Sequence, residues 1–416
     1  MPARPEPADL DALLAEGGPV LTESAADGQT EVTFVTTGDR APLSLWIQGV
    51  RQALPQRMRR LGADGRGRQV WAYGARFPSD STLTYCYVER DPLARLGPLR
   101  RARLAASAGA RDELIETLLS RSFPDPAAPR RVPNVLGLLG RQKAPIPATV
   151  SDWVTPLALP GAPGQDWRHR PVRLGRLVTE RPGTGPLARP VTVYRPPRRG
   201  EAGDLPLVVV FDGEAFAWLA GELDEAIARG RMPAFLVAYV HNLSRRRRIE
   251  ELSGDPGLVA ALVSEIVPWL RARYGAAADP ARVIVAGAGL GGLAAARLAH
   301  QRPDLFGAAL VMSGSLWWEP RGRGGRPAGL DLLARLARER RHRWPIRLWM
   351  SYGTLEADVG DRRLTLLNAV ERFARAARPH VDELTVREFP GGHDTPCWRP
   401  ALRDGLRHLT ARWRSF

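Results

Sequence analysis

One short glycine-rich segment carries the most chemically informative pattern in this sequence. Residues 287–291 read Gly-Ala-Gly-Leu-Gly, and they join the apolar run Val283–Ala286 to an Ala- and Leu-rich stretch. A strand, a tight turn and a helix in this order are typical of the G-x-S-x-G motif, whose serine attacks acyl groups. Gly289 occupies the serine position. The segment therefore predicts acyl or ester chemistry at a turn that lacks the usual nucleophilic hydroxyl.

The same segment also fits the G-x-G-x-x-G spacing of a dinucleotide site, through Gly287, Gly289 and Gly292. That motif normally lies in the first βα unit of its domain and is followed by an acidic residue about 20 positions later. Here three strand-like runs precede the motif, and the segment Ser313–Trp318 follows it. This context favours the nucleophile turn.

Two downstream residues complete a possible catalytic triad. In hydrolases with this turn, the acid and then the histidine follow the nucleophile along the chain. Glu356 follows the strand-like run that begins at Leu348, and His393 follows the last such run, which ends at Phe389. Because imidazole has a pKa near neutral pH, it suits general base catalysis. We predict His393 as the base and Glu356 as the acid that orients it, with Asp358 as the alternative acid.

An oxyanion hole needs two backbone N–H groups, one of them from the residue after the nucleophile. Leu290 would supply the first N–H. The turn Asp212-Gly213-Glu214 follows a β-branched run, and Gly213 or Glu214 would supply the second. Neither donor depends on the side chain at position 289.

The elements that must hold these residues belong to an α/β fold. From residue 190, apolar runs alternate with helical patterns, which predicts a mostly parallel sheet covered on both faces. The expected strands are Pro190–Arg195, Leu205–Phe211, Ala234–Val240, Arg282–Ala286, Ala308–Met312, Ile346–Tyr352 and Leu384–Phe389, and the expected helices are Gly257–Tyr274, Leu290–Gln301, Leu364–Ala377 and Trp398–Arg412.

Residues 30–90 show period-two runs separated by Gly, Asp and Pro, which predict a small antiparallel β-sandwich. A helical pattern lies near residues 110–121. We therefore expect an N-terminal β-sandwich domain in residues 1–150, a Pro/Gly-rich linker in 151–186 and the α/β domain in 187–416. With two cysteines, no apolar run of transmembrane length and no signal-peptide pattern, the sequence predicts a soluble cytoplasmic protein.

The formal net charge is +16, and nearly all of the basic residues are arginines. They form either a solvated surface or a field that attracts anions, because guanidinium groups pair well with carboxylates, phosphates and phenolates. The basic residues are scattered and no recognition-helix pattern accompanies them, so an anionic small molecule is a better partner than nucleic acid. The sequence predicts no cofactor and shows no metal-ligand spacing.

Taken together, the motifs resemble the enterochelin (enterobactin) esterase family of α/β-hydrolases. The resemblance covers most of the chain, and it includes a substrate-covering domain that corresponds to the predicted sandwich. The matching blocks are Val285–Leu293, Phe211–Glu214, Arg248–Leu252 as an R-x-x-E-L loop, Pro303–Gly307, Ser313–Trp318 and Gly391–Arg399.

This resemblance implies a cytoplasmic protein that accepts a ferric tris-catecholate and cleaves its trilactone, with iron arriving only inside the ligand. His393 would be the base and Glu356 the acid. Arg248 and Glu214 would contact the anionic siderophore, and Trp317 and Trp318 would shape the pocket. From the residues alone, Arg245–Arg248 fits an exposed charge run equally well, and the tryptophan pair fits ordinary core packing.

Gly289 departs from the family pattern and leaves three hypotheses open. The first is an active esterase in which His393 activates a water in the space of the missing hydroxyl. The second is a non-catalytic protein that binds a ferric siderophore. The third is a biosynthetic acyl transferase or cyclase that reuses the pocket.

Overall fold

The structure is a computed structural model that describes residues 7–15, 17–24, 27–50, 54–97, 100, 108–134, 153–163, 170–197, 204–318, 343–356 and 366–415. The chain forms two compact units. The first unit comprises Met1–Gly140, Pro147–Arg168 and Pro390–Pro396, and the second comprises Arg141–Ile146, His169–Phe389 and Cys397–Phe416.

The first unit is a β-sandwich, as the alternating runs predict. Its two antiparallel sheets have the strand orders β1-β2-β6-β5 and β4-β3-β7-β10-β9, and β8 pairs with β7. Their facing surfaces meet where the rings of Phe34 and Tyr85 lie 4.9 Å apart. The elements are α1 (Pro7–Ala15), β1 (Val20–Ser24), β2 (Gln29–Thr37), β3 (Ser44–Gln48), β4 (Gln56–Arg57), β5 (Arg59–Ala63), β6 (Gln69–Pro78), β7 (Thr82–Val88), α2 (Ala108–Ser120), β8 (Ser122–Phe123), β9 (Val132–Pro133) and β10 (Trp153–Ala158).

The second unit contains an eight-stranded sheet in the order β11-β12-β14-β13-β15-β16-β17-β18 among the described residues. The two pairs that involve β12 are antiparallel, and the neighbours from β14 to β18 are parallel. Its strands are β11 (Arg176–Glu180), β12 (Val191–Arg195), β13 (Leu207–Phe211), β14 (Leu236–Val240), β15 (Val283–Ala288), β16 (Ala308–Met312), β17 (Trp344–Gly353) and β18 (Val381–Phe389).

Helices connect most of these strands. They are α3 (Gly213–Phe216), α4 (Ala220–Ala228), α5 (Arg245–Leu252), α6 (Pro256–Ala260), α7 (Val267–Tyr274), α8 (Leu290–Gln301), α9 (Leu366–Ala377) and α10 (Thr395–Thr410), and a π-helical turn, Ala261–Ile266, joins α6 to α7.

Central strands β13, β14 and β16 are buried at every residue. A strand that is buried on both faces needs cover on both sides of its sheet, and this is why these strands are continuous apolar runs in the sequence. The architecture is therefore an α/β-hydrolase fold with a mostly parallel sheet, preceded by a small β-sandwich. Within the part of the chain that the structure describes, no helix is long and apolar enough to cross a membrane.

The predicted linker at residues 151–186 is wrong over two stretches. Trp153–Ala158 forms β10, which pairs with β7 in the first unit, and Arg176–Glu180 forms β11, which pairs with β12 in the second. Residues 390–396 also group with the first unit, although we expected them in the α/β domain. The pairing of β10 and of Gly391 with β7 joins segments that are distant in sequence, which local composition does not reveal, whereas β11 pairs with β12, the next strand along the chain.

A buried ion pair fixes helix α5 within the second unit. Arg189 lies just before β12, and its two terminal nitrogens donate to the carboxylate oxygens of Glu251 at 2.7 and 3.2 Å. Both side chains are 2% exposed. Arg247 donates to the same carboxylate at 2.9 Å. Because Arg248 lies on this helix, the pair also bears on the position of that residue.

We expect Arg189→Met to lower the free energy of unfolding by about 3–5 kcal/mol, because it leaves the Glu251 carboxylate buried without its main partner. The double variant Arg189→Met/Glu251→Leu should recover most of this loss, because it removes both charges. Urea unfolding followed by circular dichroism measures both changes. An equal loss in the single and the double variant would contradict this account.

Candidate active site

The glycine-rich turn has the backbone geometry that the sequence predicts. Strand β15 ends at Ala288, helix α8 begins at Leu290, and Gly289 between them has φ 56° and ψ −120°. Residues other than glycine rarely adopt such a positive φ. The N–H of Gly289 donates to the carbonyl of Met312 at 3.0 Å, and its carbonyl accepts from the N–H of Ser315 at 2.8 Å. The turn is therefore tied to the end of β16 through backbone atoms alone.

Flanking glycines allow the helix to approach the strands closely. A Cβ on Gly287 would lie 2.4 Å from the carbonyl carbon of Gly291, and a Cβ on Gly292 would lie 3.0 Å from the Cα of Gly314. Any side chain at position 287 would push α8 away from β15. The packing thus accounts for the glycines around position 289.

Two candidate oxyanion donors stand at the same edge of the sheet. Leu290 and Gly213 are the first residues of α8 and α3, so their N–H groups have no intrahelical acceptor. The preceding strands, β13 and β15, are parallel neighbours. A Cβ on Gly291 would lie 3.2 Å from the Oδ2 of Asp212, which shows that the two turns are adjacent. The pairing of these N–H groups on one ligand oxygen stays a prediction.

Asp212 anchors the second turn through a two-point contact with Arg248. Asp212 has φ 56° and is buried. Its Oδ1 accepts from Arg248 Nε at 2.7 Å, and its Oδ2 accepts from Nη2 at 2.8 Å. This arrangement is the planar pairing that guanidinium favours with a carboxylate. Arg248 therefore holds the turn that presents the N–H of Gly213.

The R-x-x-E-L segment forms a helix and not the loop that we expected. Helix α5 begins at Arg245, and the hydroxyl of Ser244 caps it by accepting from the N–H of Arg247 at 3.2 Å. Arg246 is exposed and pairs with Glu250, whereas Arg248 is largely buried. A role for Arg248 in holding an anionic ligand stays a prediction, and the structure adds Asp212 as a partner.

Asn242 connects Asp212 with a second, largely buried carboxylate, Glu214. The Asn242 side-chain amide donates to Asp212 Oδ1 at 2.8 Å and to Glu214 Oε1 at 2.6 Å, and its backbone N–H donates to Glu214 Oε2 at 3.3 Å. Burial, and then the neighbouring charge of Asp212, raise the pKa of Glu214 to about 7. Glu214 therefore lies near its titration point at neutral pH.

His241 is the fourth polar residue beside Asp212, Asn242 and Glu214, and it lies next to Glu214. Its Nδ1 lies 3.8 Å from Glu214 Oε2, and its Nε2 shares a hydrogen bond of 2.7 Å with the hydroxyl of Thr192. Burial lowers the pKa of His241 to about 4. The imidazole is therefore neutral above pH 5, and the positive charge beside these carboxylates comes from Arg248, which pairs with Asp212. Asn242 and His241 belong to no motif that the sequence shows, although both directly follow β14 at this edge of the sheet.

Trp317 and Trp318 follow β16, with their rings 5.7 Å apart in an edge-to-face arrangement. Both are half-buried and pack against the main core of the second unit. Neither buried indole nitrogen has a hydrogen-bond acceptor among the described residues. Core packing is thus shown for this pair, and its contact with a ligand stays a prediction.

Glu356, the predicted acid, ends a short 3₁₀ turn directly after β17. The residue is fully buried, and its Oε2 accepts from the N–H of Gly353 at 3.0 Å. The alternative acid, Asp358, lies outside the described residues. Glu356 is therefore anchored at the same edge of the sheet as the turn at Gly289.

His393, the predicted base, lies in the segment Pro390–Pro396 directly after β18, and this segment groups with the first unit. Its backbone N–H donates to the carbonyl of Gly49 at 2.7 Å. The second unit thus brings together Gly289, Leu290, Gly213, Glu214 and Arg248. The approach of His393 to Glu356 and to Gly289 stays a prediction.

Comparison with known proteins shows that most of the second unit matches a known protein family. The sequence profile of a family described as "Putative esterase" matches residues 187–409. The chain is similar to the iron(III) salmochelin esterase of Escherichia coli O6:H1, with 26% identity over 419 residues that cover 93% of this chain and 90% of the relative. It is also similar to the iron(III) enterobactin esterase of Dickeya dadantii, with 29% identity over 231 residues, 53% of this chain and about half (51%) of the relative.

Solved structures share the fold over nearly the whole chain. The ferric enterobactin esterase of Salmonella typhimurium has a TM-score of 0.76 and 22% identity, and the match covers 98% of this chain and 100% of that one. The enterobactin esterase of Shigella flexneri, determined in the presence of enterobactin, has a TM-score of 0.72 and 22% identity, with 99% and 100% covered. At this identity the likeness supports the two-part architecture.

We expect Glu214→Gln to change how stability depends on pH. In the wild-type protein the unfolded Glu214 ionises near pH 4.5 and the folded one near pH 7. Its contribution to the free energy of unfolding therefore falls as pH rises between these values and stays lost above them. The variant lacks this fall, so its stability relative to wild type should rise by up to about 3 kcal/mol from pH 4.5 to pH 8.

Urea unfolding of both proteins at four pH values between 4.5 and 8 measures the difference. His241 does not titrate over most of this range, and Arg248 and Asp212 are present in both proteins. Glu116→Gln, at an exposed position on α2, controls for the loss of one carboxylate from the chain. Parallel stability curves for wild type and Glu214→Gln would show that Glu214 keeps an ordinary pKa.

Proposed function

The chain belongs to the esterase family, and from this premise we propose that it acts on or binds a ferric catecholate siderophore with an ester backbone. The observation that carries the proposal is the turn at Gly289, with φ 56° and ψ −120°, in a chain that spans about nine-tenths of a relative named iron(III) salmochelin esterase. Release of iron inside the cell, and with it a cytoplasmic location, is part of the same proposal.

The charge of the protein suits such a ligand. A ferric tris-catecholate complex is trianionic, and the chain carries a formal net charge of +16, almost entirely from arginine. Guanidinium groups bind phenolate and carboxylate oxygens through paired N–H groups. The half-buried rings of Trp317 and Trp318 offer flat apolar surface for catechol rings.

In the hydrolytic form of the proposal, a water molecule replaces the missing serine hydroxyl. The imidazole of His393 takes a proton from this water, and the water oxygen attacks the ester carbonyl carbon. The N–H groups of Leu290 and Gly213 stabilise the oxyanion that forms. The imidazolium then returns its proton to the leaving alkoxide, which yields a carboxylic acid and an alcohol. Glu356 orients the imidazole and stabilises its charged form.

A non-catalytic binding function is the second candidate, and Gly289 is the observation that favours it. Loss of the serine nucleophile lowers turnover by roughly 10⁶-fold in a bacterial serine protease, and the oxyanion hole and substrate binding supply the remaining catalysis. A chain with intact backbone donors and no nucleophile would retain the ligand while cleaving it slowly.

Two assays on the same purified protein separate these candidates. Quenching of tryptophan fluorescence by ferric enterobactin measures binding, and chromatography of the products measures hydrolysis. We expect binding in both cases. The variant His393→Ala removes the base. If it lowers the rate of hydrolysis by roughly 10²-fold or more, the water mechanism is supported. Binding without products supports the binding function, and absence of both would refute the proposal.

We expect Gly289→Ser to create or raise esterase activity by roughly 10²-fold or more, because it supplies the nucleophile at a turn with the required geometry. The same change should lower the free energy of unfolding by about 1–3 kcal/mol, because serine is strained at this φ.

Gly289→Ala is the matched control, since it carries the same backbone strain without a hydroxyl. Initial rates with ferric enterobactin and melting temperatures compare the three proteins. A folded serine variant that is no faster than the alanine variant would show that the base or the pocket no longer supports acyl transfer.

A further inference from the structure

We infer that Thr84 and Gly49, two residues of the β-sandwich, are positioning residues for His393. The inference rests on the proposed function, in which His393 is the base. It assigns to the sandwich a part in positioning the base. The contacts that carry it lie within the first unit, to which Pro390–Pro396 belongs.

Backbone hydrogen bonds hold this segment on both sides of His393. The N–H of Thr82, at the start of β7, donates to the carbonyl of Pro390 at 3.1 Å, and Thr82 forms a parallel bridge with Gly391. The N–H of His393 donates to the carbonyl of Gly49, in the turn after β3, at 2.7 Å. Strands β3 and β7 are paired neighbours, so the segment contacts the ends of two adjacent strands of one sheet.

Gly49 also sets how closely the segment can approach. This glycine has φ 69°, and a Cβ at its position would lie 2.7 Å from three backbone atoms of His393. In return, a Cβ on Gly392 would lie 2.6 Å from the carbonyl oxygen of Gly49. Backbone therefore lies directly on backbone, and a side chain at either glycine would displace the residue that carries the imidazole.

Thr84 fixes the residue on the other side of His393. Its hydroxyl donates to Oδ2 of Asp394, and the N–H of Thr395 donates to Oδ1 at 2.7 Å. Both Thr84 and Asp394 are buried. Burial raises the pKa of Asp394 to about 6, and the two hydrogen bonds oppose that rise. Both carboxylate oxygens are thus occupied, and the side chain next to His393 has one orientation.

Fixing the residues on either side of a base matters because proton transfer depends on distances between heavy atoms. A misplacement of about 1 Å can lower the rate by roughly 10²-fold. His393 donates a hydrogen bond through its own N–H, and its neighbour Asp394 accepts hydrogen bonds at both carboxylate oxygens. These bonds leave the backbone of His393 little freedom to move. The sequence places Thr84 more than 300 positions before His393, so the sequence motifs do not show this link.

The test uses the full-length protein and a signal that does not require activity. Protein labelled at histidine Cε1 gives one carbon–proton resonance from each of the seven histidines, and a His393→Gln sample identifies that of His393. We expect Thr84→Val to shift or broaden the His393 resonance. Thr84→Ser keeps the hydroxyl and should leave the resonance in place.

Thr30→Val is the matched control, because Thr30 is a buried strand residue of the same unit whose hydroxyl bonds to Ser79 and not to the His393 segment. Asp394→Asn supplies a second variant if Thr84→Val fails to fold, since it keeps the side-chain shape and loses the carboxylate. An unchanged His393 resonance in a folded Thr84→Val or Asp394→Asn protein would overturn the inference.

Kinetics on the Gly289→Ser background provide the second measurement. We expect Thr84→Val to lower kcat by 10- to 100-fold with KM within twofold, because the base is misplaced while the ligand surface is intact. A raised KM with unchanged kcat would overturn the inference, since Thr84 would then act on binding. If neither background hydrolyses the ester, the hydrolytic proposal fails, and the resonance of His393 still decides whether Thr84 positions it.

Discussion

The first turn of α8 lies against the ends of β15 and β16 with no space for side chains between them. Gly287, Gly291 and Gly292 allow this approach, and the carbonyl of Met312 holds the N–H of Gly289. Because these contacts involve backbone atoms, they set the direction of the Leu290 N–H without help from the side chain at position 289. The candidate oxyanion geometry can therefore outlast the loss of the nucleophile.

Charge balance imposes a second constraint beside this turn. Asp212 is buried and the side chain of Glu214 is 9% exposed, and Arg248 pairs with Asp212 through two hydrogen bonds. One guanidinium cannot neutralise two carboxylates in a region of low dielectric. The protein accommodates the remaining charge through Asn242, which donates to both carboxylates, and through the raised pKa of Glu214. The turn at Gly213 is thus held by groups whose net charge changes near neutral pH.

Sequence patterns predict what is local and miss what depends on distant partners. The run Val283–Ala286 and the glycines after it were enough to predict β15, the turn and α8, since apolar β-branched residues and glycine act within a few positions. The Asp212–Arg248 pair joins residues 36 positions apart, and no local rule indicates it. The Pro/Gly-rich composition of 151–186 suggested a linker, whereas Trp153–Ala158 forms a strand because β7 pairs with it.

The sandwich is assembled from chain segments that leave the ribosome far apart in time. Strand β10 ends at Ala158, yet Thr82 meets its bridge partner Gly391 only after most of the α/β sheet has been made. At 5–20 residues per second, the roughly 230 residues between positions 158 and 391 take about 10–50 s to synthesise. Through this interval β3 and β10 already pair with β7, and water satisfies the N–H of Thr82 that later donates to Pro390, so the nascent sandwich has an exposed strand end. The sandwich is therefore completed only after the segment that follows β18 has been synthesised.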